Sequence, residues 1–348
     1  MSKRIVTFGE VMLRLNAPGH ERLLQTPAFE ATFAGAEANA AVSLANYGAD
    51  VAFVTAFPSN AIGDAAIAEL RRFGVDTRSI LRQGERVGVF FLEAGSNQRP
   101  SRIVYDRSHS AIATASPDDF AWAEIFEGAG WFHISGVTPA ISASAAEVSL
   151  RAVREAKERG ITVSCDYNYR MNLWRYGKKA PEVMRELVQY VDVGIAGSVD
   201  CQFALGIEVE GTDPEGEIAG GKLNPDPYRR LAEKVLATFP NLRMQIITLR
   251  ESRSADSNGL SACLHNRKSF LLSKHYDITD IVDRVGSGDA FGGALIYGLL
   301  NGWEAQCALE FATAAGALKH TLPGDYHRVT VKEVESLMGG SGSGRVER

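Results

Sequence analysis

The stretch Asp280-Ile-Val-Asp-Arg-Val-Gly-Ser-Gly-Asp-Ala-Phe-Gly-Gly-Ala-Leu-Ile-Tyr-Gly-Leu-Leu300 sets side by side the residue types that one kind of chemistry needs. Gly286, Ser287 and Gly288 follow a strand-like end and precede an apolar stripe of helical period, Phe291, Leu295 and Leu299, that begins at Asp289. Small residues at a helix start let successive backbone N–H groups converge, and the helix dipole adds partial positive charge, which makes a cradle for phosphate. Two common cradles are excluded. The lysine and Ser/Thr of G-x-x-x-x-G-K-[ST] are missing, and Gly286, Gly288 and Gly292 with a carboxylate inside the turn depart from the dinucleotide fingerprint. An acid there repels a resting pyrophosphate. Asp289 has another use, which is to take the proton of an attacking hydroxyl while the N–H groups steady the charge on a moving phosphoryl group. The helix terminus is expected to hold its pKa low, and a loose phosphoryl-transfer transition state tolerates so weak a base. The same residues also read as a plain helix cap.

The elements that must position this turn alternate along the chain. Strands are expected at Ile5 to Phe8, Val51 to Thr55, Trp131 to Ser135, Ile161 to Asp166, Val191 to Ala196 and Met244 to Leu249. Between and after them come helices at Ala38 to Tyr47, Ala61 to Phe73, Ser144 to Arg159, Pro181 to Tyr190, Pro225 to Phe239 and Ala305 to His320, several stopped by a glycine. Such βαβ repetition predicts a mainly parallel sheet with helices on both faces and ligands at the C-terminal strand ends. Two stretches, Leu13 to Phe33 and Arg86 to Tyr105, offer short strands and no helix, so they read as an inserted β layer or as unrelated surface hairpins. Gly211 to Asn224 reads as a loop, and 339–348 as a flexible tail.

Composition sets the bounds. The chain has 348 residues, 45% of them apolar, and a formal net charge of −5, so it is an ordinary globular protein with no overall basic surface for nucleic acid. Four cysteines lie far apart without C-x-x-C spacing, which suggests neither zinc nor a disulfide framework and fits a reducing cytoplasm. The start is too short in apolar residues for a signal peptide, and no window is long enough for a membrane span. A soluble, cytoplasmic protein acting on small molecules is the expectation.

Gly286-Ser-Gly-Asp289-Ala-Phe, preceded by Asp283, resembles the C-terminal signature of the ribokinase-like, or PfkB, family of carbohydrate kinases. Phe33-Ala-Gly35-Ala-Glu-Ala-Asn39-Ala-Ala-Val42-Ser-Leu-Ala-Asn-Tyr-Gly48 is similar to the family's second signature, and Gly63-Asp64 with Leu70 to Thr77 also fits. The resemblance runs from about residue 3 to 338. Within the family, Gly9 to Arg14, Val87 to Gly95, Tyr105 to Arg107 with Ser110-Ala111, Phe132 to Pro139 and Asp166-Tyr-Asn-Tyr-Arg170 with Leu173-Trp174 look like the motifs of the 2-keto-3-deoxygluconate kinases.

The resemblance implies a three-layer α/β/α sandwich with a small β-sheet lid. Its core would comprise 1–12, 34–85 and 108–338, and its lid 13–33 and 86–107. It implies an ATP-dependent kinase that phosphorylates the terminal hydroxyl of 2-keto-3-deoxygluconate or its galactonate epimer, with Asp289, Gly286, Ser287 and Gly288 as the catalytic group. Sugar would meet Gly35, Ala36, Glu37 and Asn39 from the core and Phe90, Tyr105 and Arg107 from the lid, with Arg170 near the reacting groups. A guanidinium suits a substrate carboxylate because its forked donors match two oxygens; the plainer role for Arg107 is an ion pair with a neighbouring acid. His133 and Met12 are read as core.

Nucleotide is expected at Asn168, Arg170, Asp200, Thr248, Arg250, Gly286 and Gly288, with adenine between Asp280 to Val285 and the helix Ala305 to His320. Two departures stand out. Arg250 replaces the usual glycine of a Thr-x-Gly stretch, and Gly197-Ser-Val-Asp200 stands where Asn-x-x-Glu would organise Mg²⁺ through water, leaving Asp200 to do so alone. ATP and Mg²⁺ are the implied cofactors, with room for a monovalent cation, and free lid edges leave room for a homo-oligomer paired through the lids. The alternatives are a fructokinase or another hexose or pentose kinase, and a catalytically silent sensor of the same fold. An NAD-dependent oxidoreductase is disfavoured because no acid follows an N-terminal glycine motif.

Overall fold

The structure, a computed structural model, describes residues 4–212 and 224–340. Most of the expected loop before residue 224 and the tail from 341 lie outside the described residues.

Runs rich in Val, Ile and Phe with both faces covered become the parallel strands. Arg4–Phe8 pairs with Val51–Val54 on one side and Ala129–Ser135 on the other. Thr162–Asp166, Val193–Gly197 and Met244–Ser252 extend the sheet in that order, all parallel. Their near-continuous burial matches the pattern of a sheet sandwiched between helices. Beyond Met244–Ser252 the sheet turns antiparallel through Asn258–His265, which pairs with Phe270–Leu272 and Tyr276–Ile278. These three strands, and the helices Ser198–Leu205 and Val331–Met338, are additions to the expected set. Two large apolar clusters fill the two faces of this sheet.

The helices start and stop for local reasons. Asn60, Ser142 and Thr330 cap theirs by accepting N–H bonds from the first turn. Helix Ser287–Leu300 starts differently, on Gly286 at φ +84° with no side chain capping it. It packs on the first helix, Ala36–Asn46, at Gly293, where a Cβ would stand 3.0 Å from the Cβ of Ser43 and 3.1 Å from the Ala40 carbonyl oxygen. A close approach of backbones is therefore what brings the two helix starts together.

A separate antiparallel-rich sheet runs Glu30–Ala34, Met12–Asn16, Gly88–Glu93, Arg102–Asp106. It draws on both helix-poor stretches, so the inserted-layer reading holds over that of unrelated hairpins. Its edge strand Arg102–Asp106 is exposed throughout. Met12, Ala34, Phe90, Leu92 and Val285 form the small apolar seam between this sheet and the glycine turn. Among the described residues no helix is long and apolar enough to cross a membrane, and all four cysteines are free.

Candidate active site

Asp289 lies at the start of its helix, and the Nδ2 of Asn39 donates to its Oδ2 at 2.6 Å. The Oδ1 of Asn39 in turn accepts from the Gly35 N–H at 3.2 Å. Asn39 is thereby fixed at both ends of its amide. This pair joins the two sequence signatures, 250 residues apart.

The expectation of a low Asp289 pKa is corrected. Burial pushes it up to about 6; the Asn39 hydrogen bond opposes the rise, and Asp325 adds to it. Arg170 and Lys319 also favour the ionised form. Desolvation outweighs the helix dipole, and Asp289 becomes a better base than a helix-start aspartate in water. A base must be ionised to act. We therefore expect kcat/KM to be lost as pH falls through about 6 and to be level above it, in a pH–rate profile; a profile flat down to pH 4 would contradict Asp289 as the base.

The turn itself is held from behind. Gly286 has a left-handed backbone, and a Cβ there would overlap the Asp325 carbonyl oxygen. A Cβ on Gly288 would meet nothing within 4 Å, so that side of the turn faces open space. Arg250 donates from Nη2 to the Ser287 hydroxyl at 3.1 Å, which brings its charge to the cradle. Thr248 and Arg250, two apart on a strand that runs on to Ser252, share one face, and Thr248 Oγ1 bonds to the Ala196 carbonyl at 3.3 Å. The segment Asp280 to Val285 is irregular rather than strand-like, and its Val282 N–H bonds to the His320 carbonyl at the end of helix Ala305–Lys319.

The loop after Thr162–Asp166 supplies Asn168 and Arg170. Asn168 adopts φ +37°, is buried, and its Oδ1 makes no hydrogen bond among the described residues. Arg170 is exposed, yet its charge reaches Asp166, Asp200 and Asp289. Asp200 caps the helix Ser198–Leu205: Oδ2 accepts the Gly197 N–H at 2.6 Å and Oδ1 the Tyr169 N–H at 2.8 Å. It thus ties the Arg170 loop to the sheet. Burial raises the pKa of both Asp166 and Asp200.

Two expected sugar contacts hold other partners in this structure. Glu37 is 1% exposed, and its Oε1 accepts from the Ser135 N–H at 2.9 Å and from the Ser135 and Thr138 hydroxyls at 2.8 Å each. Burial raises its pKa to about 7. Its carboxyl pins the first helix to the strand Ala129–Ser135 rather than facing the cleft, while Gly35 and Ala36 lead into that helix above it. Arg107 is buried in an ion pair with Glu10, whose Oε1 accepts from the Ser110 hydroxyl at 2.5 Å. Its guanidinium also lies 5.4 Å from the Tyr105 ring centre, and Tyr105 packs on Phe90 at 5.9 Å. Phe90 is buried, whereas Tyr105 is 39% exposed on the edge strand. His133 and Met12 are buried, as core residues should be.

Several polar residues escaped the sequence reading. Arg14 is buried and bridges Asp283, at 2.6 Å, and Asp325. Burial would lower its pKa, but the two carboxylates more than offset that and raise it. A buried network of this kind fixes the segments on either side of the turn. The available signal was a charge on an otherwise apolar pattern: Lys319 lies on the same helical stripe as Ala312 and Ala315.

A glycine cradle on a bare helix start, an ionisable carboxylate beside it and strand-end arginines, all on an α/β sandwich with a second small sheet, define a small-molecule kinase. The chain belongs to the pfkB family of carbohydrate kinases, whose model matches residues 2–219 and 259–330. It is 33% identical to a 2-dehydro-3-deoxygalactonokinase of Haloferax volcanii over 99% of both chains. It is 27% identical to a 2-dehydro-3-deoxygluconokinase of Bacillus subtilis, over 94% of this chain and 93% of that one. The crystal structure of a 2-dehydro-3-deoxygluconokinase from Thermotoga maritima superposes with a TM-score of 0.91 at 47% identity, covering 97% of this chain and all of that one. The ribokinase-like fold and sugar-kinase class implied by the signatures hold.

Proposed function

We propose that the chain transfers the γ-phosphoryl group of ATP to the terminal hydroxyl of 2-keto-3-deoxygluconate or its galactonate epimer, in the cytoplasm. The observation that carries the transfer is the Asp289 carboxylate fixed by Asn39 beside the open face of Gly288. The names of the relatives at 33% and 47% identity support the substrate class.

The sugar hydroxyl gives its proton to Asp289 as its oxygen bonds to the γ-phosphorus, in line with the P–O bond to the β-phosphate that breaks to release ADP. N–H groups of the Gly286 to Gly288 turn, with Arg250 through Ser287, steady the charge on the transferred group. The small sheet acts as a lid over 13–33 and 86–107 that excludes water, which would otherwise hydrolyse ATP. Among the described residues no group of three or more His, Cys, Asp and Glu could cage a metal. The donor set fits a hydrated ion brought by ATP: the buried Asn168 Oδ1, without a hydrogen bond among the described residues, and the carboxylates of Asp166 and Asp200 would hold it through water. Mg²⁺ there would neutralise phosphate charge. The exposed lid edge Arg102–Asp106 supports pairing of two copies through their lids.

Arg107, paired with Glu10, is the residue that would read the sugar carboxylate. Arg107→Lys keeps the charge that Glu10 needs but loses the fork. We expect it to raise KM for the keto acid about ten-fold and to leave KM for ATP within two-fold, read from steady-state rates. Equal effects on both substrates would place Arg107 outside sugar recognition. The reading as a whole is tested by ADP release with a panel of keto-deoxy acids, hexoses and pentoses. Equal rates on fructose and the keto acid would favour the fructokinase alternative, for which Phe90, offering no hydrogen bond, leaves room. ADP release with none would favour the silent sensor.

A further inference from the structure

Helix Ala305–Lys319 buries a stripe of small and apolar residues and ends on a charge that has no solvent exposure. The Lys319 Nζ donates to the carbonyl oxygens of Asp283, at 3.3 Å, and Leu322, at 3.2 Å. These carbonyls come from the two segments that bracket the glycine turn. Asp283 stands just before Gly286, and Leu322 begins the loop that reaches Asp325, whose carbonyl oxygen lies against Gly286.

A buried ammonium survives only where charge and hydrogen bonds compensate its lost hydration. Here Asp283 and Asp325 do so, with Arg14 already between them. Burial pulls the Lys319 pKa below the ordinary lysine value, and those two carboxylates and Asp289 pull it back. The favourable field of Lys319 at Asp289 shows that the charge reaches the reacting end of the turn.

We propose that Lys319 is a positioning residue that supplies, from within the chain, the fixed positive charge beneath the phosphate cradle. Phosphoryl transfer then needs no free monovalent cation. The resemblance leaves room for such an ion, but the converging carbonyls that would hold a small cation behind this turn, those of Asp283 and Leu322, are taken by an ammonium. The inference rests on the kinase reading above.

The test is turnover of the keto acid with MgATP when tetramethylammonium is the sole monovalent cation, against equal ionic strength of potassium, sodium or ammonium. Wild-type rates within two-fold of one another are expected. Lys319→Met should lower kcat on the order of 10²-fold, as for loss of one transition-state donor, with sugar KM changed less than about three-fold. Lys319→Ala leaves space for an ion and should recover part of its kcat with potassium or ammonium, which a purely structural lysine would not do. A wild type that loses ten-fold or more in tetramethylammonium overturns the proposal, as does a folded Lys319→Met that keeps wild-type kcat. If neither variant folds, the wild-type comparison decides alone. A wild type inert with every sugar in every salt overturns the kinase reading and this proposal together, whereas cation-dependent turnover overturns this proposal only.

Discussion

Asp289→Asn is expected to bind ATP and sugar as the wild type does and to turn over about 10³-fold more slowly, within the range for loss of a general base. That is about 4 kcal/mol in the barrier. The substitution is nearly isosteric and removes only the proton acceptor. The new amide can present its oxygen to the Asn39 Nδ2 while Asn39 keeps its bond from the Gly35 N–H, so the pairing of the two helix starts survives. The variant separates two ideas of the site. If the helix start and its arginines did all the work by orientation and charge, removing a negative charge would leave kcat untouched or raise it. Single-turnover kinetics together with calorimetric binding of both substrates would read the difference, and a rate within ten-fold of wild type would remove Asp289 from the role of base.

The second large effect is expected from Gly286→Ala. Its backbone is left-handed at φ +84°, which costs a side-chain-bearing residue about 1–2 kcal/mol. A Cβ would also overlap the Asp325 carbonyl oxygen, a backbone atom that cannot swing aside. Either the turn or the Asp325 loop must move, and the convergent N–H groups lose their aim. Misplacement by about an ångström costs on the order of 10² in rate. We expect kcat/KM to fall by roughly 10²–10³-fold and the melting temperature to fall as well. Gly288→Ala is the control: its Cβ meets no protein atom, so the melting temperature should hold while KM for ATP rises. If Gly286→Ala melted like wild type and kept its rate, the turn would not be a rigid cradle.

Much of this was legible before any coordinates. The glycine turn, the helix behind it and the parallel strands follow from local pattern, because a bare helix start and a β-α-β rhythm are written in adjacent residues. Asn39 was legible only through its resemblance; nothing near it announces Asp289. The strand Asn258–His265 went unread since its burial comes from being inside an antiparallel edge, not from a β-branched run. Helix Ser198–Leu205 is hard to read in sequence because a glycine precedes it and its capping carboxylate, Asp200, stands inside its own first turn. Glu37 shows the limit most clearly. An acid among alanines beside a sugar-binding signature reads as a ligand group, and only the positions of Ser135 and Thr138, about a hundred residues away, show it holding the core together. The pKa of Asp289 was misjudged for a similar reason: the dipole is local and visible in sequence, whereas desolvation is a sum over the whole fold.

The contact between Asn39 and Asp289, and that of Arg14 with Asp283 and Asp325, also order events during synthesis. The N-terminal partners leave the ribosome first and wait for the last fifth of the polypeptide to complete each pair. A nascent chain that ends before residue 280 has already made Asn39, Phe90 and Arg107 but has neither cradle nor base. It cannot spend a nucleotide. Chains translated to residue 280 and held on the ribosome should therefore be silent as ATPases and kinases, and the arrival of the final helices is what commits the molecule to chemistry.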